Sequence, residues 1–340
     1  MNYFIHLVDH NPSIAIMPLL APLTKLSNHE IMTSFPGERE FSESRVADIL
    51  KMPGIQQVNV ILHSSGKDLP FFLRAEPLFA KLAGKGLKTF VLMHLSPECL
   101  RMRGRHDCFS RLKTLQHLFS TTVLTPGVEL ARLYRHLGFN ALPVQFGVDG
   151  PCELRPYEEC VPYRRFIVTC CTKSTADYQT IKGIDRFIQV VTANGVQGNA
   201  FIVGHDGHEI DGIVRKRLSM SELGSLLEKS LVYVQLSRVE AYNLTAVYAK
   251  RMKVPVIVSN VEGHRDNVRY GFRVDSIEEA VQQLGLILRE PMSDFVKHSV
   301  EANWADTMTR ETVEAFAASL ESAVTTSSDA ADISVPQEVE

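Results

Sequence analysis

The chain has 340 residues, 45% of them hydrophobic and 22% charged, a composition typical of a globular protein with a sizeable core. This length favours two domains, and the formal net charge of −3 excludes the strongly basic balance of many nucleic-acid-binding proteins. The six cysteines form no C-x-x-C pair, and no apolar run predicts a membrane span or a signal peptide. We therefore expect a soluble, cytoplasmic protein.

Short apolar runs alternate with amphipathic stretches along most of the chain. The runs lack strict polar alternation, which is typical of strands buried on both faces. They predict strands over residues 3–8, 58–63, 89–94, 122–125, 166–171, 200–203, 232–236 and 256–259. The intervening stretches predict helices over residues 75–85, 128–137, 183–193, 220–229 and 245–252. This alternation indicates parallel sheets covered on both sides.

Residues 146–162 interrupt the alternation, because they are rich in glycine and proline and show little apolar periodicity. They predict a linker between domains. We expect an α/β protein with two Rossmann-like, doubly wound domains that face a cleft, over residues 1–150 and 151–305. A helical pattern spans residues 311–324, and the small, polar, acidic residues 324–340 predict a disordered tail.

The second half contains residues suited to binding an anion. After the strand over residues 166–171 and a polar loop, Lys182 and Gly183 open a helix. A lysine charge beside free backbone N–H groups suits a phosphate. The next strand ends in Gly204, which permits the close approach of a ligand.

The loop after residues 232–236 offers polar side chains above a helix start. Ser237 and Glu240 lie in this loop, where a carboxylate would hydrogen-bond a sugar hydroxyl. The next helix opens with N–H groups that have no intrahelical acceptor, those of Asn243, Leu244 and Thr245. Taken singly, each of these features is also explained by a solvated loop.

In order along the chain, these features resemble the retaining GT-B glycosyltransferases of family 4. Lys182-Gly183 is similar to the K-G of that family's G-R…K-G phosphate pair. Residues 237–244, S-R-V-E-A-Y-N-L, are similar to S-x-x-E-G-F-G-L, which begins the E-x7-E motif. His94 follows a strand as the family's active-site histidine does, and Asn28-His29-Glu30 matches a turn of its first domain. The resemblance implies that a helix over residues 306–323 crosses back to the first domain.

Several positions depart from the family pattern. Tyr248 replaces the second glutamate of E-x7-E, which usually holds the ribose, and a tyrosine carries no charge at neutral pH. The arginine of G-R has no counterpart, and Lys173 is its nearest substitute. Ala241 and Asn243 replace glycines, and asparagine is the residue that best tolerates a positive φ.

The resemblance implies transfer of a sugar from a nucleotide-diphosphate sugar, with retention and without a metal or other cofactor. Lys182, Glu240 and His94 would be the catalytic residues: Lys182 stabilises the leaving diphosphate, Glu240 holds sugar hydroxyls and His94 faces the sugar from the other domain. Donor binding would involve Lys173, Gly204, Ser237, Asn243, Leu244, Thr245 and Tyr248. No D-x-D triplet occurs, which agrees with metal-independent chemistry.

Other interpretations remain open at this stage. Tyr248 and the missing arginine motivate a catalytically silent homologue that binds a sugar nucleotide or supports a partner enzyme, and a nucleotide-sugar epimerase would share the architecture. The acceptor would be a glycan or a lipid-linked sugar. The basic stretch over residues 101–113 suits peripheral contact with an anionic inner-membrane face, although a solvated helix face explains it equally well. It contains Arg101, Arg103, Arg105, Arg111 and Lys113.

Overall fold

The computed structural model describes residues 1–8, 17–33, 48–49, 51–64, 79–80, 82–102, 104, 106–171, 175–204 and 209–331. These residues form two compact units. One contains Met1–Asp149 together with the chain from Thr312 onward, and the other contains Gly150–Glu311. Each unit is built on one six-stranded sheet in which every described strand pair is parallel.

The first unit has the strand order β2-β1-β3-β4-β5-β6. Its strands are β1 Asn2–Val8, β2 His29–Thr33, β3 Gln57–Ser64, β4 Lys88–Met93, β5 Thr122–Pro126 and β6 Ala141–Val144. Among the described residues, its helices include α1 Met17–Leu20, α2 Pro97–Met102, α3 His106–Phe119 and α4 Val128–His136, and a 3₁₀ turn spans Ala21–Lys25. Tyr3, Ile5 and Leu7 alternate along β1 and join an apolar cluster on one face of this sheet.

The second unit has the strand order β12-β11-β10-β7-β8-β9. Its strands are β7 Phe166–Cys171, β8 Ala200–Gly204, β9 Val214–Lys216, β10 Ser230–Gln235, β11 Val256–Ser259 and β12 Phe272–Val274. Its helices are α5 Tyr157–Cys160, α6 Ala176–Lys182, α7 Ile184–Ala193, α8 Met220–Glu228, α9 Leu244–Arg251, α10 Glu262–Asn267, α11 Ile277–Arg289 and α12 Asp294–Arg310. Two 3₁₀ turns span Val161–Tyr163 and Gln197–Asn199. When these six strands are numbered 1 to 6 along the chain and read from β9, their order is 3-2-1-4-5-6. This is the order of a doubly wound dinucleotide-binding fold, in which the ligand site lies where the first and fourth strands, here β7 and β10, meet.

All eight predicted strands are confirmed, and the described residues contain four further strands that were not predicted. Those four are β2, β6, β9 and β12, and each lies at an edge of its sheet. An edge strand is paired on one side only and does not require a continuous apolar run. β9, for example, exposes Val214 and Lys216 and buries only Arg215. The prediction of a turn at His29 is wrong, because His29 begins β2 and pairs with Phe4.

The segment expected to be an irregular linker contains α5 and a 3₁₀ turn. Pro156 precedes α5, where its missing N–H costs no hydrogen bond. The Tyr157 ring is buried and its hydroxyl donates to the Pro291 carbonyl at 3.0 Å, which anchors this segment to the second unit.

The last helix, α13, spans Val313–Ala331 and belongs to the first unit. Its Phe316 ring packs edge-on against Phe146, and its Ser319 hydroxyl accepts from the Gln145 amide at 3.0 Å. The helix extends seven residues past the predicted end at 324. Thr325, Thr326 and Ser327 donate their hydroxyls to carbonyls three or four residues earlier, so they continue the helix. Residues 332–340 of the expected disordered tail lie outside the described residues.

Candidate functional site

A buried ion pair joins two of the predicted catalytic residues in the second unit. Lys182 Nζ lies 2.5 Å from Glu240 Oε2, and the Ser237 hydroxyl donates to the same oxygen at 3.3 Å. The Lys182 side chain is 19% exposed and the Glu240 side chain 7%. Burial opposes the charge on Lys182, but the Glu240 carboxylate outweighs it and holds the pKa of Lys182 above its ordinary value. Lys182 is therefore an ammonium at neutral pH.

A glycine brings this lysine against the loop that follows β10. Lys182 is the last residue of α6, a short helix within the segment expected to be a polar loop, and Gly183 separates α6 from α7. Gly183 has φ +69°, and a Cβ there would lie 1.9 Å from the Leu236 carbonyl oxygen. Only glycine fits, because both its backbone conformation and its close contact exclude a side chain. The Lys-Gly pair is thus explained by packing as well as by charge.

Below the ion pair, a polar network links the ends of β7, β10 and β11. Gln235 Nε2 donates to the Lys182 carbonyl at 2.7 Å and to Ser237 Oγ at 3.2 Å. Gln235 Oε1 accepts from the Cys170 amide at 3.2 Å and from the Tyr233 hydroxyl at 2.9 Å. Gln235 therefore fixes the junction of β7 and β10, at the carboxyl ends where such sheets bind ligands.

The network continues through Asn243 and His264. Asn243 Oδ1 accepts from the Ala246 amide at 3.1 Å and from the Tyr233 hydroxyl at 3.2 Å, so Asn243 caps α9. Its Nδ2 lies 3.1 Å from His264 Nε2, and His264 Nδ1 donates to the Ser259 carbonyl at 2.9 Å. Burial lowers the pKa of His264 to about 4, which keeps the ring neutral.

The structure corrects the expectation of a positive φ at Asn243. Asn243 has φ −96°, because an N-cap residue places its side-chain oxygen over the first helical turn from an extended conformation. Ala241, where alanine was expected to be tolerated at a negative φ, is absent from the residues with positive φ in the described chain. The backbone here needs a capping oxygen rather than the freedom of glycine.

The other predicted donor-binding residues occupy different environments. Leu244 and Thr245 begin α9, are partly exposed, and precede its first intrahelical hydrogen bond, from the Val247 amide to the Asn243 carbonyl. Tyr248 is 1% exposed, in the interior of the second unit. Gly204 pairs with Cys171.

Packing accounts for two of these residues without a ligand. A Cβ at Gly204 would lie 1.9 Å from the Cys171 carbonyl oxygen, and one at Gly150 would lie 2.7 Å from the Tyr248 ring. Contacts of Gly204 and Tyr248 with a donor therefore stay predictions. Lys173 lies outside the described residues.

The remaining predicted catalytic residue, His94, lies in the first unit. It directly follows β4, and its ring lies 5.4 Å from the Phe146 ring. Burial lowers the pKa of His94 to about 3, so the ring is neutral. His94 Nε2 lies 3.1 Å from His63 Nδ1, a partner that the sequence did not suggest.

Sequence reasoning missed Tyr233, Gln235, His264 and His63. Gln235 and Tyr233 have a weak signal, since each is a polar group within the apolar run of β10. His264 and His63 have no comparable signal, because the partners Asn243 and His94 lie 21 and 31 positions away along the chain. In the part of the chain that the structure describes, no three His, Cys, Asp or Glu side chains are arranged to hold a metal ion.

In the basic stretch of the first unit, partners are defined for Arg101 and Lys113. Arg101 pairs with Glu98 at 2.5 Å, and the Lys113 ammonium contacts the Gly138 carbonyl and lies 4.4 Å from the centre of the Phe139 ring. Arg103 and Arg105 lie outside the described residues. Of the helices that the structure describes, none has both the length and the apolar character needed to cross a bilayer.

No protein-family model matches the chain, and no curated protein matches it by sequence. Solved structures do match its fold. The sucrose-phosphate synthase of Thermosynechococcus elongatus is 14% identical with a TM-score of 0.68, over 96% of this chain and 100% of that chain. An α,α-trehalose-phosphate synthase (UDP-forming) of Burkholderia vietnamiensis is 11% identical with a TM-score of 0.63, over 96% and 100% of the two chains.

A glycosyltransferase of Rickettsia africae ESF-5 is 14% identical with a TM-score of 0.54, over 98% of this chain and 100% of that chain. At these identities the likeness establishes the fold. The chain has the α/β architecture of the GT-B glycosyltransferases, with two parallel six-stranded sheets and flanking helices.

Proposed function

We propose that this protein is a glycosyltransferase that takes a nucleotide-diphosphate sugar as donor, at the carboxyl ends of β7 and β10. The observation that carries the proposal is the Lys182–Glu240 pair. It places one permanent positive charge and one carboxylate at the point where a doubly wound sheet binds ligands. Diphosphate and sugar hydroxyls are the two groups that such a pair suits.

The chemistry divides between the two members of the pair. Lys182 and the first-turn amides of α9 would stabilise the negative charge that develops on the diphosphate as its bond to the anomeric carbon breaks. Glu240 would accept hydrogen bonds from sugar hydroxyls through Oε1, because Lys182 and Ser237 both occupy Oε2. The acceptor hydroxyl oxygen forms a bond to the anomeric carbon as the bond from that carbon to the diphosphate breaks, and the hydroxyl proton passes to the released diphosphate.

Retention at the anomeric carbon, the assignment to family 4 and independence of metals belong to this proposal, supported by the resemblance of residues 237–244 and of Lys182-Gly183. So do a glycan or lipid-linked acceptor, a cytoplasmic location and peripheral membrane contact. For the last, the ion pair of Arg101 and the packing of Lys113 reduce the free positive charge available to lipid.

A second candidate function is binding of a sugar nucleotide without turnover. The interior position of Tyr248 favours it, because the residue that replaces the family's ribose-binding glutamate is 1% exposed. Such a protein would bind a donor and support a partner enzyme.

Product analysis distinguishes these functions. The protein is incubated with UDP-, GDP-, ADP- and dTDP-sugars, with and without oligosaccharide acceptors, and released sugar and nucleotide are measured by NMR. The proposal expects hydrolysis or transfer of one donor with retained anomeric configuration, reduced at least about 100-fold by Glu240→Gln. The Glu222→Gln variant, which alters an exposed carboxylate of the same unit, is the matched control. Binding without turnover supports the second candidate, and inversion overturns the retaining assignment.

A further inference from the structure

Four histidines of the first unit form a continuous row of ring contacts, here called the histidine row. The nitrogen–nitrogen distances are 3.0 Å from His29 Nδ1 to His6 Nε2, 3.0 Å from His6 Nδ1 to His63 Nε2, and 3.1 Å from His63 Nδ1 to His94 Nε2. The rings come from β2, β1, β3 and the residue after β4, four neighbouring positions across one sheet. Each distance is that of a hydrogen bond.

Burial lowers the pKa of every ring in the row, so all four rings are neutral at pH 7. It lowers the pKa of His29 to about 4 and those of His6 and His94 to about 3, with a smaller contribution from His29 at His6. The pKa of His63 is also well below its ordinary value, chiefly through burial. A neutral imidazole has one N–H and one lone pair.

Because each neutral ring has one N–H and one lone pair, the protons of the row can be arranged in only two ways. His6 and His63 each use both ring nitrogens within the row, so each must donate at one nitrogen and accept at the other. The direction of one hydrogen bond therefore fixes the direction of all three. Either every proton points from His29 toward His94, or every proton points the other way.

The buried end of the row selects between the two arrangements. Among the described residues, His29 Nε2 is buried and has no hydrogen-bond partner, and its ring is stacked on Phe4 with centroids 4.8 Å apart. An unpaired buried N–H is rarer in proteins than an unpaired acceptor. A lone pair at His29 Nε2 places the proton on Nδ1, and each following ring then donates from Nδ1.

We propose that the histidine row holds His94 as the tautomer protonated on Nδ1, so that His94 offers an N–H donor to a ligand oxygen. His63, His6 and His29 are then positioning residues that act on the ligand through His94. In free neutral histidine the Nε2–H tautomer is favoured, so the row imposes the less common form. The tautomer is inferred from the first unit alone, and only the statement that a ligand oxygen accepts this hydrogen bond rests on the proposed function.

Nitrogen NMR of the ¹⁵N-histidine-labelled protein tests the proposal without any donor. Couplings between nitrogens across N–H···N hydrogen bonds should link the four rings in series, and ¹⁵N shifts should report His94 protonated on Nδ1 in about tenfold or greater excess. The single variants His94→Gln and His63→Phe assign the signals. These measurements on the unaltered protein succeed or fail independently of the proposed glycosyl transfer.

Two variants separate the tautomer effect from simple packing. His63→Phe removes the partner of His94 Nε2, and the Nε2–H form of His94 should become the major one. His29→Phe keeps an aromatic ring stacked on Phe4 and leaves the lone pair of His6 Nε2 as the new buried end of the row. His94 should therefore stay protonated on Nδ1. His117→Phe, an exposed position on α3, is the control. Absence of the couplings, protonation of His94 on Nε2 in the unaltered protein, or an unchanged His94 tautomer in His63→Phe would each overturn the proposal.

Discussion

Asn243 links the capping of α9 to the polar network, and Asn243→Ala removes both functions. Three hydrogen bonds are lost: from the Ala246 amide, from the Tyr233 hydroxyl and to His264 Nε2. The cap contributes about 1 kcal/mol. The Tyr233 hydroxyl has a single proton and keeps Gln235 as its closer acceptor, so the loss of its contact with Asn243 costs at most about 1 kcal/mol, whereas His264 Nε2 becomes an unpaired buried acceptor at about 1–3 kcal/mol.

Together these losses amount to roughly 2–5 kcal/mol. For a unit of this size each kcal/mol shifts the Tm by about 2–4 °C, so a fall of at least about 4 °C is expected in differential scanning fluorimetry. The matched variant is Asn243→Asp, which keeps the cap and the Tyr233 contact but cannot donate to His264. Its carboxylate should raise the pKa of His264, so its Tm should approach that of the unaltered protein as the pH falls from 8 to 5.5.

Comparing the two variants at two pH values tests whether Asn243 stabilises this unit and whether His264 is its partner. A Tm within about 1 °C of the unaltered protein for Asn243→Ala would show that the network does not stabilise this unit. An Asn243→Asp variant whose deficit is the same at both pH values would show that His264 is not the partner of this side chain.

Three further changes follow from the same structure. Lys250 and Glu311 form a buried pair at 2.8 Å, so Lys250→Met should lower the free energy of unfolding by about 3–5 kcal/mol in urea titrations, and adding Glu311→Leu should restore most of it. Gly183→Ala should lower the Tm more than Gly195→Ala, which has a similar φ of +67° but no atom within 4 Å of the added Cβ; equal losses would contradict the close contact. Because the pKa values of the histidine row are low in the folded protein, unfolding takes up protons below pH 6.5. The free energy of unfolding, measured by urea titration, should therefore fall as the pH drops from 6.5 toward 4, and a flat profile would contradict the buried neutral rings.

The sequence predicted the interior of both sheets because interior strands are buried on both faces and read as apolar runs. The four edge strands escaped prediction for the converse reason: β2 begins with His29 and Glu30, and β9 is V-R-K. The same limit applies to helices, since α6 buries only Ile181 and its other residues, such as Gln179 and Thr180, are half-buried or exposed.

At the candidate site, the order of motifs predicted that Lys182 and Glu240 would matter, and the structure places them in contact. It did not predict the residues that hold them, because hydrogen-bond partners such as Gln235 and Lys182 are 53 positions apart. The substitution of Asn243 for a glycine suggested the wrong conformation, since the sequence shows the residue type but not which of its properties the backbone uses.

The proposed function requires that Lys182 and Glu240 form a binding site for a nucleoside diphosphate and its sugar. Isothermal titration calorimetry with UDP, GDP, ADP and dTDP tests it most directly, using the unaltered protein, the neutral double variant Lys182→Gln/Glu240→Gln, and Lys216→Gln as an exposed-lysine control in the same unit. One nucleotide should bind to the unaltered protein and to the control, and the folded double variant should lose at least about tenfold in affinity. Equal affinity in all three proteins, or no binding of any nucleotide, would contradict it.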